Sequence, residues 1–414
     1  MSSTNKQHKI GSATLYILLS FFFIYAFWYQ NAYSEIRLAF PVLGVLILIL
    51  SCMNLHKSFN YYNPLWLIIF FIIISSMNSL LFGKFPSLTT KYVFNIIEYL
   101  IPMFGIYVYV DGKIDKLRKI LWILSVAITL VALWSLIDGK ITSTGAIALG
   151  DLNVNVESSY FAVAVVSNVV LFGSGKATLW KKSIIITSTL LCAKAQIDSA
   201  SRRGFLILAF LLMAGIISYI HIKYKKKPLV RGLFFISMVL TVTVAIYLLA
   251  DVFLTTTLFQ RFLSGGEEGG DTGRKILMGL AFDYFLDSPI VGAGFGAIEG
   301  RIGVYSHSMY FELLGCTGII GFGIFITMLL RCAKCFYCNA SALSYLPEDL
   351  IITSRGFLLL VISVLISGYA VVYIYDMYFY IILGLVFSMQ RILKEERERN
   401  YSKGNISMMT SKSR

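Results

Sequence analysis

Residues 65–82 read LWLIIFFIIISSMNSLLF, without a single charge. A helix of that length rises about 27 Å, close to the ~30 Å hydrocarbon core of a bilayer. Lipid offers no hydrogen bonds, so each backbone N–H and C=O must be satisfied within the segment, and the run reads as a membrane-spanning helix. The in–out alternation of a membrane barrel strand is absent.

The same kind of block recurs on both sides. Spans are expected near 12–29, 37–55, 65–82, 92–110, 119–137, 158–174, 183–201, 203–221, 231–252, 309–330, 356–374 and 375–390, about twelve helices. The 414 residues are 57% hydrophobic and 14% charged, where soluble domains run near ~45–50% and ~25%. Mean hydropathy is +0.75. The predicted fold is therefore an all-α polytopic membrane protein with no soluble domain. Helices one to nine fall in 1–252, a long loop in 253–308, three further helices in 309–390 and a basic tail in 391–414. The first span lacks a small-residue cleavage site and reads as an anchor.

Charge sets the expected orientation. With the N-terminus inside, 25 of the 36 Lys and Arg residues fall in inner segments and 10 in outer ones, with Lys194 inside a span. That bias places both termini in the cytoplasm and the 253–308 loop outside. The net charge of +14 is then a topology signal. Its cations are scattered over short loops and form no stripe for nucleic acid. Cys332, Cys335 and Cys338 have metal-like spacing but no fourth ligand nearby, and read as thiols on a helix extension.

The long loop has internal order. Phe262–Asp271 is glycine-rich and reads as flexible, and its Glu267, Glu268 and Asp271 as a solvated lid. After Thr272, Ile276, Leu277, Leu280, Ala281, Tyr284 and Phe285 recur at helical spacing, predicting an amphipathic helix on the membrane surface that ends at Pro289. Gly292-Ala-Gly-Phe-Gly296 follows. It resembles part of a dinucleotide fingerprint, but no strand precedes it, so it reads as a flexible turn.

Charges at the membrane edge are costly and need a reason. Lys194, Asp198 and Arg202 are spaced i, i+4, i+8 and would share a helix face, with Arg203 adjacent. One reading is a self-neutralising pair with a snorkelling arginine. The other is an anion site in which Asp198 orients a guanidinium that grips phosphate. The outer loop adds Arg261, Arg274 and His307, the one histidine expected on the outer face. A lone histidine is more often a structural hydrogen-bonding residue than a catalyst.

Three blocks change that balance: Ser201-Arg202 with Gly204; Gly273-Arg274 running on to Ser-Pro-Ile-Val-Gly-Ala-Gly-Phe-Gly296; and Ser306-His307-Ser308-Met309-Tyr310 leading into Gly318-Ile-Ile-Gly321. In order, spacing and placement they resemble the O-antigen polymerase and O-antigen ligase superfamily of membrane glycosyltransferases, over about residues 140–330. The chain departs from the family pattern at Ser308, where asparagine is usual, and at Cys316, where glutamate is usual. Asn153 and Asn155, with Glu157 beside them, weakly resemble another block.

The resemblance implies a glycosyltransferase-C-like bundle and a polyprenyl-diphosphate-linked oligosaccharide as donor, of the undecaprenyl type, in a bacterial inner membrane. It implies no metal and no other cofactor. Arg202 and Arg274 would stabilise the leaving diphosphate, with Arg203 and Arg261 supporting. His307 would be the general base for the acceptor hydroxyl or a phosphate ligand, with Glu312 the fallback base. Asp198 and Tyr310 complete the expected substrate site. The expected activity is polymerisation of a surface polysaccharide such as O-antigen or capsule. A ligase is the nearest alternative, and a flippase for the same lipid-linked saccharide the alternative of another class. Expected partners are membrane lipid, a flippase and a chain-length regulator.

Overall fold

The computed structural model describes residues 3–24, 39–53, 65–141, 147–148, 154–174, 177–237, 240, 254, 256–259, 270–341 and 346–412. The helices follow the hydrophobic blocks: α1 (Ser3–Ile24), α2 (Ala39–Met53), α3 (Leu65–Phe82), α4 (Pro86–Val110), α5 (Ile114–Asp138), α6 (Val154–Gly173), α7 (Leu179–Asp198) and α8 (Arg202–Lys223). A short apolar helix, α9, covers Pro228–Ser237. Then come α10 (Gly270–Asp287), α11 (Ala297–Ile302), α12 (Met309–Ser341), α13 (Glu348–Ser367) and α14 (Met377–Lys412). Two-residue strands β1 (Lys140–Ile141) and β2 (Ile147–Ala148) pair antiparallel in the α5–α6 connection.

Among the described residues seven helices are long and apolar enough to cross a membrane: α3, α4, α5, α8, α12, α13 and α14. The described parts of α1, α2, α6 and α9 are shorter apolar helices. The end of the span expected at 231–252 lies outside the described residues.

Burial separates centre from periphery. The apolar window of α14 is 89% buried in the protein and that of α8 only 22%, so α14 is the central helix and α8 faces outward. α14 lies along α4, α12 along α3 and α13, and α6 along α5 and α8. Large apolar side chains point away from this core, including Phe70, Met77, Leu81, Leu206 and Phe210. An apolar belt over an apolar core is what a lipid-facing bundle requires. Charged clasps tie helices together: Arg118 near the start of α5 to Asp349 near the start of α13 at 2.7 Å, and Arg391 within α14 to Asp111 just past the end of α4 at 2.8 Å.

Two features depart from the sequence reading. α14 runs unbroken through the expected tail boundary at 390 as far as Lys412, and α12 continues past 330 to Ser341. The larger correction concerns Gly292–Gly296, which is a buried, fully engaged segment and not a flexible turn. α12 is interrupted at Gly318, whose φ of 63° and ψ of −168° leave the helical ladder. The break exposes carbonyls and amides inside the bundle, and the 289–296 segment takes them up. Ala293 and Gly294 donate to the carbonyls of Gly315 and Cys316 at 2.9 and 3.0 Å. Ile319 and Ile320 donate to Pro289 and Ile290 at 2.9 and 3.3 Å. Irregular backbone is tolerated at this depth only where protein satisfies it.

The glycines make the approach possible. Gly292, Gly294 and Gly296 all have positive φ, and a Cβ on Gly292 would lie 2.4 Å from the backbone of Cys316 and Thr317. α10 crosses α12 just as closely, because a Cβ on Gly315 would meet the carbonyl oxygen of Ala281 at 2.6 Å. The expected surface helix thus buries Met278, Ala281 and Tyr284 against the bundle and leaves Ile276, Phe282 and Leu286 exposed.

Candidate active site

The first piece is the reversal between α7 and α8. Ala200 sits at φ 50°, which ends α7, and Ser201 then caps α8 by accepting from the Gly204 amide at 3.3 Å. Arg202 and Arg203 are therefore the first turn of α8 and do not continue the Lys194–Asp198 face, as helical spacing through one span had suggested. Asp198 is taken up by Lys194 of its own helix and not by an arginine.

The second piece is the turn before α12. His307 adopts φ 57°, a left-handed conformation that costs a histidine about 1–2 kcal/mol. The turn is held from below. Glu312, fully buried, accepts the Ser306 amide at 2.8 Å and the Tyr375 hydroxyl at 3.2 Å. Ser306 Oγ donates to the Ser308 carbonyl at 2.9 Å, and the Met309 amide donates to Gly368 at 2.8 Å. Ser306 and Ser308 are buried, while His307 between them is half-exposed. Its ring packs edge-on against Tyr305 with centroids 4.7 Å apart. Glu312 consequently holds the histidine turn from beneath and is not an open base. Tyr310 leaves the site too, donating its hydroxyl to the carbonyl of Leu365.

The third piece is Arg274 in the first turns of α10. Its charge acts on both Arg203 and His307. Arg203 also lies in the field of the Tyr373, Tyr378 and Tyr305 hydroxyls. Arg203 thus lies in the field of Arg274, and Arg202 and Arg203 are both half-buried in the first turn of α8. Burial, and after it the Arg274 charge, pushes His307 below its ordinary 6.5. The imidazole is neutral near pH 7 and can accept a proton.

Sequence reasoning missed the floor of this site. Tyr373 contacts Ser367 Oγ at 2.6 Å and Ser159 Oγ at 3.2 Å, and Tyr378 donates to the Ser159 carbonyl. With Gly204 these residues line a small cavity under the first turn of α8. The expected spans at 356–374 and 375–390 were contiguous, which hid the turn at 368–376. The usable signal was Asp376, an ionisable residue between two apolar blocks. Its Oδ1 caps α14 by accepting the Tyr378 amide at 3.0 Å. Its charge acts on Tyr305, which burial first and Asp376 second push upward.

Burial raises Asp376 from 3.8 to about 6, against the opposing pull of the Tyr378 amide. A folded-state value above the unfolded one means stability that is full below pH 3.8 and lost as pH rises through about 6. Asp376→Asn keeps a capping oxygen without the charge. It should melt higher than the parent at pH 8 and alike at pH 3.5, as detergent-solubilised thermal melts at the two pH values would show.

Arg261, Glu267, Glu268, the side chain of Asp271, Asn153, and the side chains of Asn155 and Glu157 lie outside the described residues. Among the described residues no three His, Cys, Asp or Glu side chains gather as a metal site would need. Cys332, Cys335 and Cys338 follow one another along α12, passing from buried to exposed.

No curated protein matches this sequence significantly. A chain from a solved peptidoglycan synthase complex superposes with a TM-score of 0.44 at 14% identity, over 83% of this chain and 99% of that one. Residues 187–326 match the family model described as O-antigen ligase. That segment holds α8, the 270–308 stretch and the first half of α12, and over those residues the chain is similar to the O-antigen ligase family.

Proposed function

We propose that this chain polymerises a surface polysaccharide by moving a glycan from its polyprenyl-diphosphate carrier onto a second lipid-linked repeat unit. The observation that supports this most is that Arg203 and His307, from separate stretches, both lie in the field of Arg274, which comes from a third. An acceptor sugar hydroxyl attacks the anomeric carbon, that carbon's bond to the diphosphate oxygen breaks, and the hydroxyl proton passes to neutral His307. The two guanidiniums take up the charge that grows on the leaving diphosphate. Preorganised donors of this kind stabilise the transition state more than the ground state. Two cations near each other in a half-buried setting repel, and a polyanion between them turns that repulsion into attraction.

The family description as an O-antigen ligase favours a second reading, in which the finished glycan passes to a lipid or cell-wall acceptor. The donor half of the site is the same. Deleting the gene and resolving the surface glycan by size separates them. Single repeat units on the usual acceptor mark a lost polymerase, and long chains stranded on the carrier mark a lost ligase. Normal glycan would exclude both.

The histidine role has its own signature. The acid limb of a kcat/KM profile in proteoliposomes should fall below pH 6.5, because burial and Arg274 hold His307 under its ordinary value. In Arg274→Gln the residual activity should show that limb moved upward. A limb that stays in place would separate the histidine from the proton transfer.

A further inference from the structure

The end of the bundle opposite the arginine–histidine site holds a second set of basic groups. α8 carries Arg202 at one end and Lys223 at the other, about 30 Å apart along the helix. At the Lys223 end His221 lies in the field of Arg355, Arg231 and Lys225. Among the described residues none of these four makes an ion pair. His221 and Arg231 line a cleft of about 320 Å³ with Ile220 and Phe235.

An adjoining groove of about 560 Å³ shares Ile220 with that cleft. It runs between α6, α7, α8 and α9 and is walled by Phe172, Ile186, Leu190, Ile216, Tyr219 and Phe234. Ile186, Leu190 and Ile216 are exposed, so the groove opens sideways, toward where lipid would lie. α9 roofs both spaces, stacking Phe234 on Tyr224 with centroids 4.9 Å apart.

An apolar groove ending at an imidazole and three cations, none of them ion-paired among the described residues and with Glu348 acting only on the neighbouring Lys223, has the chemistry of a phospholipid carrying a negative headgroup. We propose that it binds one anionic phospholipid of the leaflet at this end, an acyl chain lying in the groove and the phosphate held by His221, Lys225, Arg231 and Arg355. By the basic-residue bias this is the cytoplasmic leaflet, where anionic headgroups attract Lys and Arg clusters. The site shares no residue with the glycosyl-transfer reading and stands or falls apart from it.

The test uses the full chain, purified and delipidated in detergent, and titrated by native mass spectrometry with phosphatidylglycerol and phosphatidylcholine of matched chains. Phosphatidylglycerol should bind at least about tenfold tighter. Arg231→Gln should weaken it about fivefold, and the Arg231→Gln/Arg355→Gln double variant about 25-fold. Ile216→Trp, on the exposed wall, should displace both lipids while leaving monodisperse elution unchanged, and it carries the test if the double variant fails to fold. Equal binding of the two lipids, a charge variant that binds like the parent, tight binding of inorganic phosphate alone, or co-purified polyprenyl phosphate in the groove would each overturn the assignment.

Discussion

Arg203→Ala should slow chain elongation in proteoliposomes by about 10²–10³, the loss typical of one removed oxyanion donor. Arg202→Ala should cost less than about tenfold, the loss of one ordinary hydrogen bond of about 0.5–1.5 kcal/mol. The difference follows from where the α7–α8 reversal places the first turn of α8. Ser201 caps that turn and Gly204 opens the small cavity behind it. Arg203 stands in the field of Arg274 and of three tyrosine hydroxyls. Its guanidinium can present two parallel donors to a diphosphate, which a lysine cannot. Arg203→Lys should therefore remain at least about tenfold impaired despite its charge. Membrane-inserted Arg203→Ala that elongates normally would remove α8 from the chemistry, and an equal loss in Arg202→Ala would mean that both arginines reach the substrate.

Gly292→Ala should prevent accumulation of folded protein. The residue sits at φ +76°, and its new methyl would lie 2.4 Å from the Cys316 backbone. Left-handed backbone costs alanine about 1–2 kcal/mol. Forced overlap in a packed interior adds about 1–3 kcal/mol. If the segment moves away, the bonds from Ala293 and Gly294 to Gly315 and Cys316 are lost, and each group left unsatisfied costs about 1–3 kcal/mol more. The sum is comparable with the ~5–15 kcal/mol that holds a typical domain together. Gly279→Ala is the control. It lies within α10 with nothing within 4 Å of the new Cβ, and should be neutral or up to about 1 kcal/mol stabilising. Fluorescence-detected size exclusion and thermal melts would compare the two, and a monodisperse Gly292→Ala of parental stability would disprove the packing argument.

Helix existence was legible because the lipid requirement acts on each segment by itself. Leu65–Phe82 needs no neighbour to be recognised, and its observed bounds match the apolar run. His307 and Arg274 were legible as candidates for a similar local reason, since each is costly at a membrane edge and sits in a short motif. The end of the Lys194–Asp198 face was not. Helical periodicity extends a face indefinitely, and only the left-handed Ala200 stops it.

The same limit explains Glu312, Tyr310 and Asp376. Each is a polar residue beside an apolar block, and sequence alone does not say whether such a group faces a cavity or a carbonyl. Glu312 turned inward to hold Ser306, Tyr310 reached Leu365, and Asp376 came to lie near Tyr305.

The sequence by itself determined a bundle of membrane helices with its unusual cations at one edge, because hydrocarbon leaves the backbone one way to satisfy itself within each span. Tertiary structure alone decided that α12 breaks at Gly318, that the 289–296 segment fills the break, and that Arg203 and His307 both lie in the field of Arg274. Those outcomes depend on hydrogen bonds and close backbone contacts between residues far apart in the chain, and periodicity along one segment carries no record of what another segment will supply.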